Sequence, residues 1–543
     1  EAVRIWTNVI EQHAANPHSY RMVAEMMNER RLFRDAIEIY KKAQVNLREP
    51  QLFAFNIADN YLALADYEPA LEIYFDQMII NEDHVSRLQR QFLNQDERQL
   101  YDTGIVLLEE RITSVSPGSR EDAIYRDMLV WLNMERGLYQ RAFAAARSLA
   151  ERTDYQHHSL FRTARQLRMR QQFELAEQAF RIYIDREQHV LRPRSFEELS
   201  RTYMDWATWV KDQNLDFGGL SDSLYRQAFH AVGQLTREYP AYERLLQTLS
   251  LQAELALDYL KDPVEAEYYL ERMRNATQSD EDLALAYYVE GRIYMFESDF
   301  SLARVSLTRS NRLAERDQTA EKSRFYLGLS DFYQGDFTFS RLQLRSLERF
   351  NHSNFANNAL QLRYLIQQGY VNGEVHPALQ RYSRARFYFD TGNHSDAAIA
   401  LLPVLSEQPG TPLYEESLLL LIRSIRACHP ETAYRLIHQI TQQPSLLGTI
   451  GETLLWERAR LAELVFTIQQ STGTNSLLLP EALGMALDEK GIITVFSEGS
   501  IAQISFDEVM VRYEDLLIRF PEGYYSEMAR TRIRTLNRSV PGT

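Results

Sequence analysis

Two segments decide the fold, YRMVAEMMNERRLFRDAIEIYKKAQ at residues 20–44 and AFNIADNYLALADYEPALEIYFDQM at residues 54–78. Ala24, Ala36 and Tyr40 of the first return as Ala58, Ala70 and Tyr74 of the second, each 34 residues later. Within the first segment Tyr20, Val23, Ala24 and Met27 fall at i, i+3, i+4 and i+7, one face of a helix. Ala36, Tyr40 and Ala43 mark a second helix. The small residues matter because two helices crossing closely leave no room for a larger side chain. A helix pair of this length cannot bury its apolar face alone, so it has to stack on copies of itself.

Further copies follow along the chain. Val130 and Ala142 are succeeded, again at 34 residues, by Ala164 and Ala176. The twelve-residue step between small residues returns as Gly291 to Ala303, Gly328 to Ser340 and Ala385 to Ala397. Weaker units surround Ala228, Ala266 and Ala433, and a last one runs from Phe506 to Arg534. Small residues twelve apart with a large one four further on resemble the tetratricopeptide repeat (TPR) family, and the resemblance covers most of the chain. It implies an all-α fold, an α-solenoid (TPR superhelix) of stacked antiparallel helix pairs whose concave groove binds a peptide or protein segment. The expected organisation is TPR units over 1–80 and an irregular helical linker unit over 81–120. TPR and degenerate TPR-like units then cover 121–467, an irregular insertion 468–503 and a C-terminal TPR-like unit 504–543. In the insertion, the polar run Ser471–Ser476 reads as a loop and Gly491–Phe496 has local strand character.

Composition narrows the function. A net charge of −15 argues against a general nucleic-acid binder, which needs a basic face for phosphates. Lys is scarce, so Arg carries nearly all the positive charge; codon bias accounts for this as well as any use of bidentate pairing. The single Cys428 excludes an internal disulfide and a cysteine-rich metal site. The longest apolar run, Leu418–Ile422, is far short of the roughly 20 residues a membrane-spanning helix needs. The chain opens on Glu1 and not on Met, which is compatible with removal of a signal peptide, an anchor or further repeats.

Catalytic motifs are missing. There is no Walker A sequence, no dinucleotide-binding glycine fingerprint and no nucleophile elbow. The twelve His are dispersed. His157 and His158 are adjacent, and neighbours in a helix point to different sides. Acidic pairs such as Glu109-Glu110 read as solvated helix faces or first-turn charges. No cofactor, catalytic residue or metal site is expected.

The TPR resemblance also indexes the groove, whose lining comes from helix A, three residues before and one after its small residue. The earlier position holds Arg21, Phe55, Asp127, Phe161, Tyr288, Phe325 and Tyr382; the later one holds Glu25, Asp59, Trp131, Arg165, Arg292, Leu329 and Arg386. The candidate site is therefore Phe55, Trp131, Phe161, Arg165, Tyr288, Arg292, Phe325, Tyr382 and Arg386. Three ring–Arg pairs at i, i+4 recur in it: Phe161–Arg165, Tyr288–Arg292 and Tyr382–Arg386. Rings and Arg commonly anchor protein partners, and Arg pairs with carboxylates. The competing expectation is that these groups stack on each other and satisfy acids inside the solenoid.

The terminal segment Tyr513–Pro521, with Tyr525, Ala529 and Ile533, resembles the last repeats of bacterial cell-envelope TPR proteins. That likeness implies a non-enzymatic scaffold in an envelope assembly, in the periplasm or cell envelope. The alternative is a cytoplasmic sensor or regulator module that binds a signalling peptide. Partner identity and oligomeric state are not encoded in any motif.

Overall fold

The computed structural model describes residue 10 and residues 12–152, 159–212, 219–314, 318–347, 355–407, 410–442, 450–472, 479–489 and 503–539. His157, His158, residues 473–476 and residues 491–496 lie outside the described residues. The chain divides into two compact units, Glu1–Thr202 and Tyr203–Thr543. Each is an α-solenoid of antiparallel helix pairs.

The N-terminal unit pairs α1 (Pro17–Glu29) with α2 (Phe33–Leu47) and α3 (Ala54–Ala63) with α4 (Tyr67–Ile80). A 3₁₀ turn (Glu82–His84), α5 (Val85–Gln95) and α6 (Arg98–Ser114) follow, then α7 (Arg120–Glu135) with α8 (Tyr139–Arg152) and α9 (Ser159–Met169) with α10 (Phe173–Ile184). Helix α11 (Arg192–Asp212) carries the chain on. Ala24, Ala36, Ala58, Ala70, Ala164 and Ala176 are fully buried, as close crossings require.

The C-terminal unit continues with α12 (Leu220–Glu238), α13 (Leu245–Leu255), a π-helical turn (Ala256–Leu260) and α14 (Pro263–Ala276). Then come α15 (Asp280–Phe296), α16 (Phe300–Leu313), α17 (Gln318–Gln334), α18 (Phe337–Leu347) and α19 (Ala356–Gln368). A two-residue hairpin, β1 (Tyr370–Val371) with β2 (Glu374–Val375), turns through Asn372 and Gly373 at φ 53° and 86°. Asn-Gly supplies both left-handed residues of such a turn, and this hairpin is the exception to an otherwise helical fold among the described residues. The unit closes with α20 (Pro377–Asp390), α21 (His394–Leu401), α22 (Pro412–Cys428), α23 (Pro430–Gln442), α24 (Gly451–Thr472), α25 (Glu481–Glu489), α26 (Phe506–Arg519) and α27 (Ser526–Ser539). Part of the stretch expected to be irregular is thus helical, and α25 packs on α21 with Leu483 and Leu487 fully buried.

The same turn joins helices A and B in eight pairs among the described residues. Two residues before helix B the backbone is left-handed at Arg31, Ala65, Gly137, Gln171, Lys261, Ser298, Gly335 and Gly392. The next N–H then reaches back to the carbonyl five residues earlier, as in Leu32 to Met27, Asp66 to Tyr61, Asp299 to Tyr294 and Asp336 to Asp331. This is the Schellman end of helix A. It fixes the angle at which helix B returns, so the turn, more than any single contact, makes the pairs alike.

The repeat length differs between the units. Ala266, Ala303 and Ser340 recur every 37 residues, as do Gly291 and Gly328, against 34 in the N-terminal unit. The extra length lies in long A helices: α15 and α17 each have 17 residues. Crossings here are tighter still. A Cβ on Gly291 would stand 2.6 Å from Leu307 Cγ, and one on Gly328 2.8 Å from Leu344. Ser340 fills the facing small position and donates its hydroxyl to the Gly328 carbonyl at 2.7 Å.

Candidate functional site

Helices α13, α15, α17, α20 and α22 are the A helices of the C-terminal unit, and each packs on the next. Along the side they share lies an open hollow of ≈ 810 Å³. Four candidate-site residues line it together, Arg292, Phe325, Tyr382 and Arg386, with the indexed Leu329 beside them. Tyr288 stands one turn before Arg292, fully buried, and accepts a hydrogen bond from the Arg292 guanidinium at 3.1 Å.

The hollow extends one helical turn beyond those positions. Five residues after the small residue stand Phe296, Tyr333 and Asp390, all in its wall. Positions −3, +1 and +5 are successive i, i+4 neighbours on one helix face. They read Tyr288–Arg292–Phe296, Phe325–Leu329–Tyr333 and Tyr382–Arg386–Asp390. Stopping at the second position of each stripe missed the third, although helical periodicity alone supplies it.

The π-helical turn explains why the unit before Ala266 looked weak. Its small residue is Ala253, fully buried, and it precedes Ala266 by thirteen residues instead of twelve. One inserted residue widens α13 at its end, and the closing N–H of Asp262 reaches back six residues to Ala256. The insertion delivers Asp258, Tyr259 and Lys261 to the hollow. Tyr259 stacks on Tyr225 at an interplanar angle of 15°.

Two polar knots sit in the wall. In the first, Arg292 donates to Asp258 at 2.5 Å and lies over the Tyr326 ring at 3.8 Å. Burial opposes its charge, but Asp258 and the phenols of Tyr326 and Tyr288 outweigh it and hold the guanidinium protonated. In the second, Arg386 donates to Asp390 at 2.8 Å, and the Tyr333 hydroxyl donates to the same carboxylate at 2.5 Å. Asp390 dominates over burial and raises the Arg386 pKa. Lys261 Nζ donates to the Asp390 carbonyl at 2.5 Å, across 129 residues of chain, and its methylenes pack over Gly392. Burial lowers the Lys261 pKa against the pull of Asp258 and Asp390. Lys261 thereby ties the turn before α14 to the turn before α21.

The remaining indexed residues belong to the N-terminal unit and are described there. Phe55 lies under the Arg87 guanidinium at 4.2 Å and meets His84 edge-on at 4.8 Å. Trp131 packs on Phe92 and Tyr101. Phe161 is buried against Phe180 and Tyr183, and its N–H donates to the Tyr183 hydroxyl at 3.1 Å. Arg165 pairs with Glu198 at 3.5 Å. Of the three ring–Arg pairs, Tyr288–Arg292 is internally satisfied and buried, whereas Arg386 keeps 44% of its side chain accessible, facing the hollow. Opposite it, Glu416 of α22 stands exposed at the rim.

The wall is rich in rings, including Tyr259, Phe325, Tyr326, Tyr333, Tyr364 and Phe387. Phe325 also packs on Phe355 at 5.2 Å. Chemically the hollow offers large flat apolar faces, one accessible guanidinium and carboxylates at its edge. Among the described residues no group of three His, Cys, Asp or Glu is placed to hold a metal ion, and no helix is long and apolar enough to cross a membrane.

No protein-family model matches the chain, and no curated protein does. Solved structures that resemble it include Naa15/Naa10 bound to HypK-THB, at 13% identity over 99% of this chain and 86% of that one, TM-score 0.22. Yeast Tom70 matches at 12% over 97% and 96%, TM-score 0.28. The APC/C hetero-tetramer Cut9–Hcn1 matches at 11% over 98% of each chain, TM-score 0.22. Likeness at this level says nothing about binding, and the TPR-type architecture stands on the chain's own turns and helix pairs.

Proposed function

We propose that this chain is a non-enzymatic interaction scaffold that holds a peptide or protein segment in the hollow of the Tyr203–Thr543 unit. The observation that carries the proposal is the concentration of rings and the accessible Arg386 on one continuous face of A helices. Tyr and Arg give large contact area and directional pairing, and such residues dominate binding energetics where they are centrally placed. Arg292 is bound to Asp258 and Lys261 to the Asp390 carbonyl, both inside the wall, whereas Arg386, though paired with the Asp390 carboxylate, keeps 44% of its side chain accessible. A rigid wall lowers the ordering cost of association.

The test is selection of a random peptide library displayed on phage against the full chain. The proposal expects enriched sequences whose affinity drops at least about tenfold in Arg386→Ala and in Tyr364→Ala, both accessible positions. Enriched peptides indifferent to both substitutions would overturn it. Placement in a bacterial envelope assembly is part of the same proposal and rests on the resemblance of residues 513–533 to envelope TPR proteins. Fractionation of the native cell tests it separately.

A further inference from the structure

A second surface lies on the B helices α14, α16 and α18, on side chains that take no part in the hollow. Two residues after Ala266, Ala303 and Ser340 come Tyr268, Val305 and Leu342, with 56%, 47% and 62% of their surface accessible. One residue before the last two small positions come Leu302 and Phe339, also exposed. In the N-terminal unit the position two after the small residue holds Glu38, Glu72, Ala144 and Gln178. Scattered exposed apolar residues are ordinary on a protein surface. The same repeat position kept apolar and exposed in three successive units is not scatter.

Charge marks the same face. Helix α16 carries Arg304, Arg309 and Arg312, helix α18 carries Arg341 and Arg345, and neither contains Asp or Glu. In a chain of net charge −15 this is a local reversal of sign. Arg304 is neutralised by Asp331 and Asp336 while lying over the Phe339 ring at 5.5 Å. Arg309, Arg312, Arg341 and Arg345 have no carboxylate partner among the described residues. The helix dipole favours Arg in a last turn and accounts for Arg312 and Arg345; Arg309 lies over the Tyr287 ring at 5.5 Å and Arg341 over the Tyr370 ring at 5.8 Å. On α16, Leu302, Val305, Arg309 and Arg312 step by three, four and three residues along one face. On α18, Phe339, Leu342 and Arg345 do the same. Both helices therefore present apolar side chains followed by basic ones, Arg309 and Arg312 on α16 and Arg345 on α18.

We propose that this face docks an acidic amphipathic helix of a protein partner. Its carboxylates meet Arg309, Arg312 and Arg345, and its apolar side chains lie on Leu302, Val305, Phe339 and Leu342. Acidic residues favour the first turns of a helix, so the docked helix runs antiparallel to α16 and α18. Charge complementarity selects this occupant over an anionic bilayer. Asp299 and Asp336, which begin α16 and α18, stand at the apolar end, where insertion into an anionic surface would bring like charges together.

The test uses a labelled synthetic helix of about 15 residues, long enough to span one helix of the face, with Glu in its first two turns and Leu at i, i+3, i+4 spacing beyond. A second peptide has Lys in place of each Glu. The full chain should bind the first and not the second. Binding should fall at least about tenfold in Phe339→Ser/Leu342→Ser and in Arg312→Glu/Arg345→Glu. The charge-reversed variant should gain affinity for the Lys peptide, a rescue that misfolding cannot produce. Equal binding of both peptides, or of the parent and both variants, would overturn the proposal. So would vesicles of zwitterionic and anionic phospholipid captured through these residues while the Glu peptide is not.

Discussion

Gly291 and Arg386 do opposite jobs on two A helices of the C-terminal unit, one in the helix crossing and one in the hollow, and their substitutions should separate cleanly. Gly291 is structural: a Cβ there meets Leu307 Cγ at 2.6 Å and its backbone nitrogen at 3.2 Å. Gly291→Ala should therefore cost about 1–3 kcal/mol by overpacking, read from the shift in urea midpoint. Arg292→Ala strips a buried guanidinium from Asp258, itself partly exposed, and should cost about 2–3 kcal/mol. Arg386→Ala removes an accessible group whose carboxylate keeps the Tyr333 hydroxyl. It should leave the midpoint nearly unchanged and act on binding. His394 gives the pH dependence. Burial, then Lys261, hold its pKa below 6.5, against the pull of Asp222 and Asp390, and its Nδ1 has no hydrogen-bond partner. The unfolded chain binds that proton first, so stability is full above about pH 6.5 and falls as pH drops below it. The parent's urea midpoint should fall between pH 7.5 and 5.5 by more than that of His394→Asn. His438, also lowered by burial, adds to the same loss in both proteins.

Elements explain what the sequence could and could not show. The small-residue code is legible because a close crossing favours Ala, Gly or Ser, with Val130 the one larger exception among the copies named, and those positions are buried in the structure. The turn is nearly silent: five of its eight left-handed residues are Arg31, Ala65, Gln171, Lys261 and Ser298, which no glycine signal betrays. The A–B geometry is imposed there by carbonyls waiting at the end of helix A, against residue preference. The π-helical turn weakened the signal of the unit around Ala266, because one inserted residue moves Ala253 out of step with Ala266. It also moved Asp258, Tyr259 and Lys261 out of any register that could have pointed to the hollow. Phe296, Tyr333 and Asp390 were legible in principle, one helical turn past positions already indexed. The exposed stripe on α16 and α18 was legible too, but only once the 37-residue period of that unit replaced 34.

At the scale of the molecule, repetition assigns work to faces and not to single residues. In the Tyr203–Thr543 unit the A helices carry rings and a paired Arg set, and the B helices α16 and α18 carry, beside apolar side chains, Arg309, Arg312 and Arg345, which have no carboxylate partner among the described residues. Lys261 and Asp390 brace the A side over 129 residues, which fits a preformed wall better than one assembled on binding. The most direct measurement is site-specific crosslinking with a photoreactive phenylalanine analogue at Tyr364 in the hollow, with Tyr268 on the B side as control, using the library-selected peptide. The account predicts a covalent adduct through Tyr364, mapped to one short contiguous segment of the peptide, and none through Tyr268. An adduct formed equally at both positions, or none at Tyr364 with a peptide that binds, would contradict it.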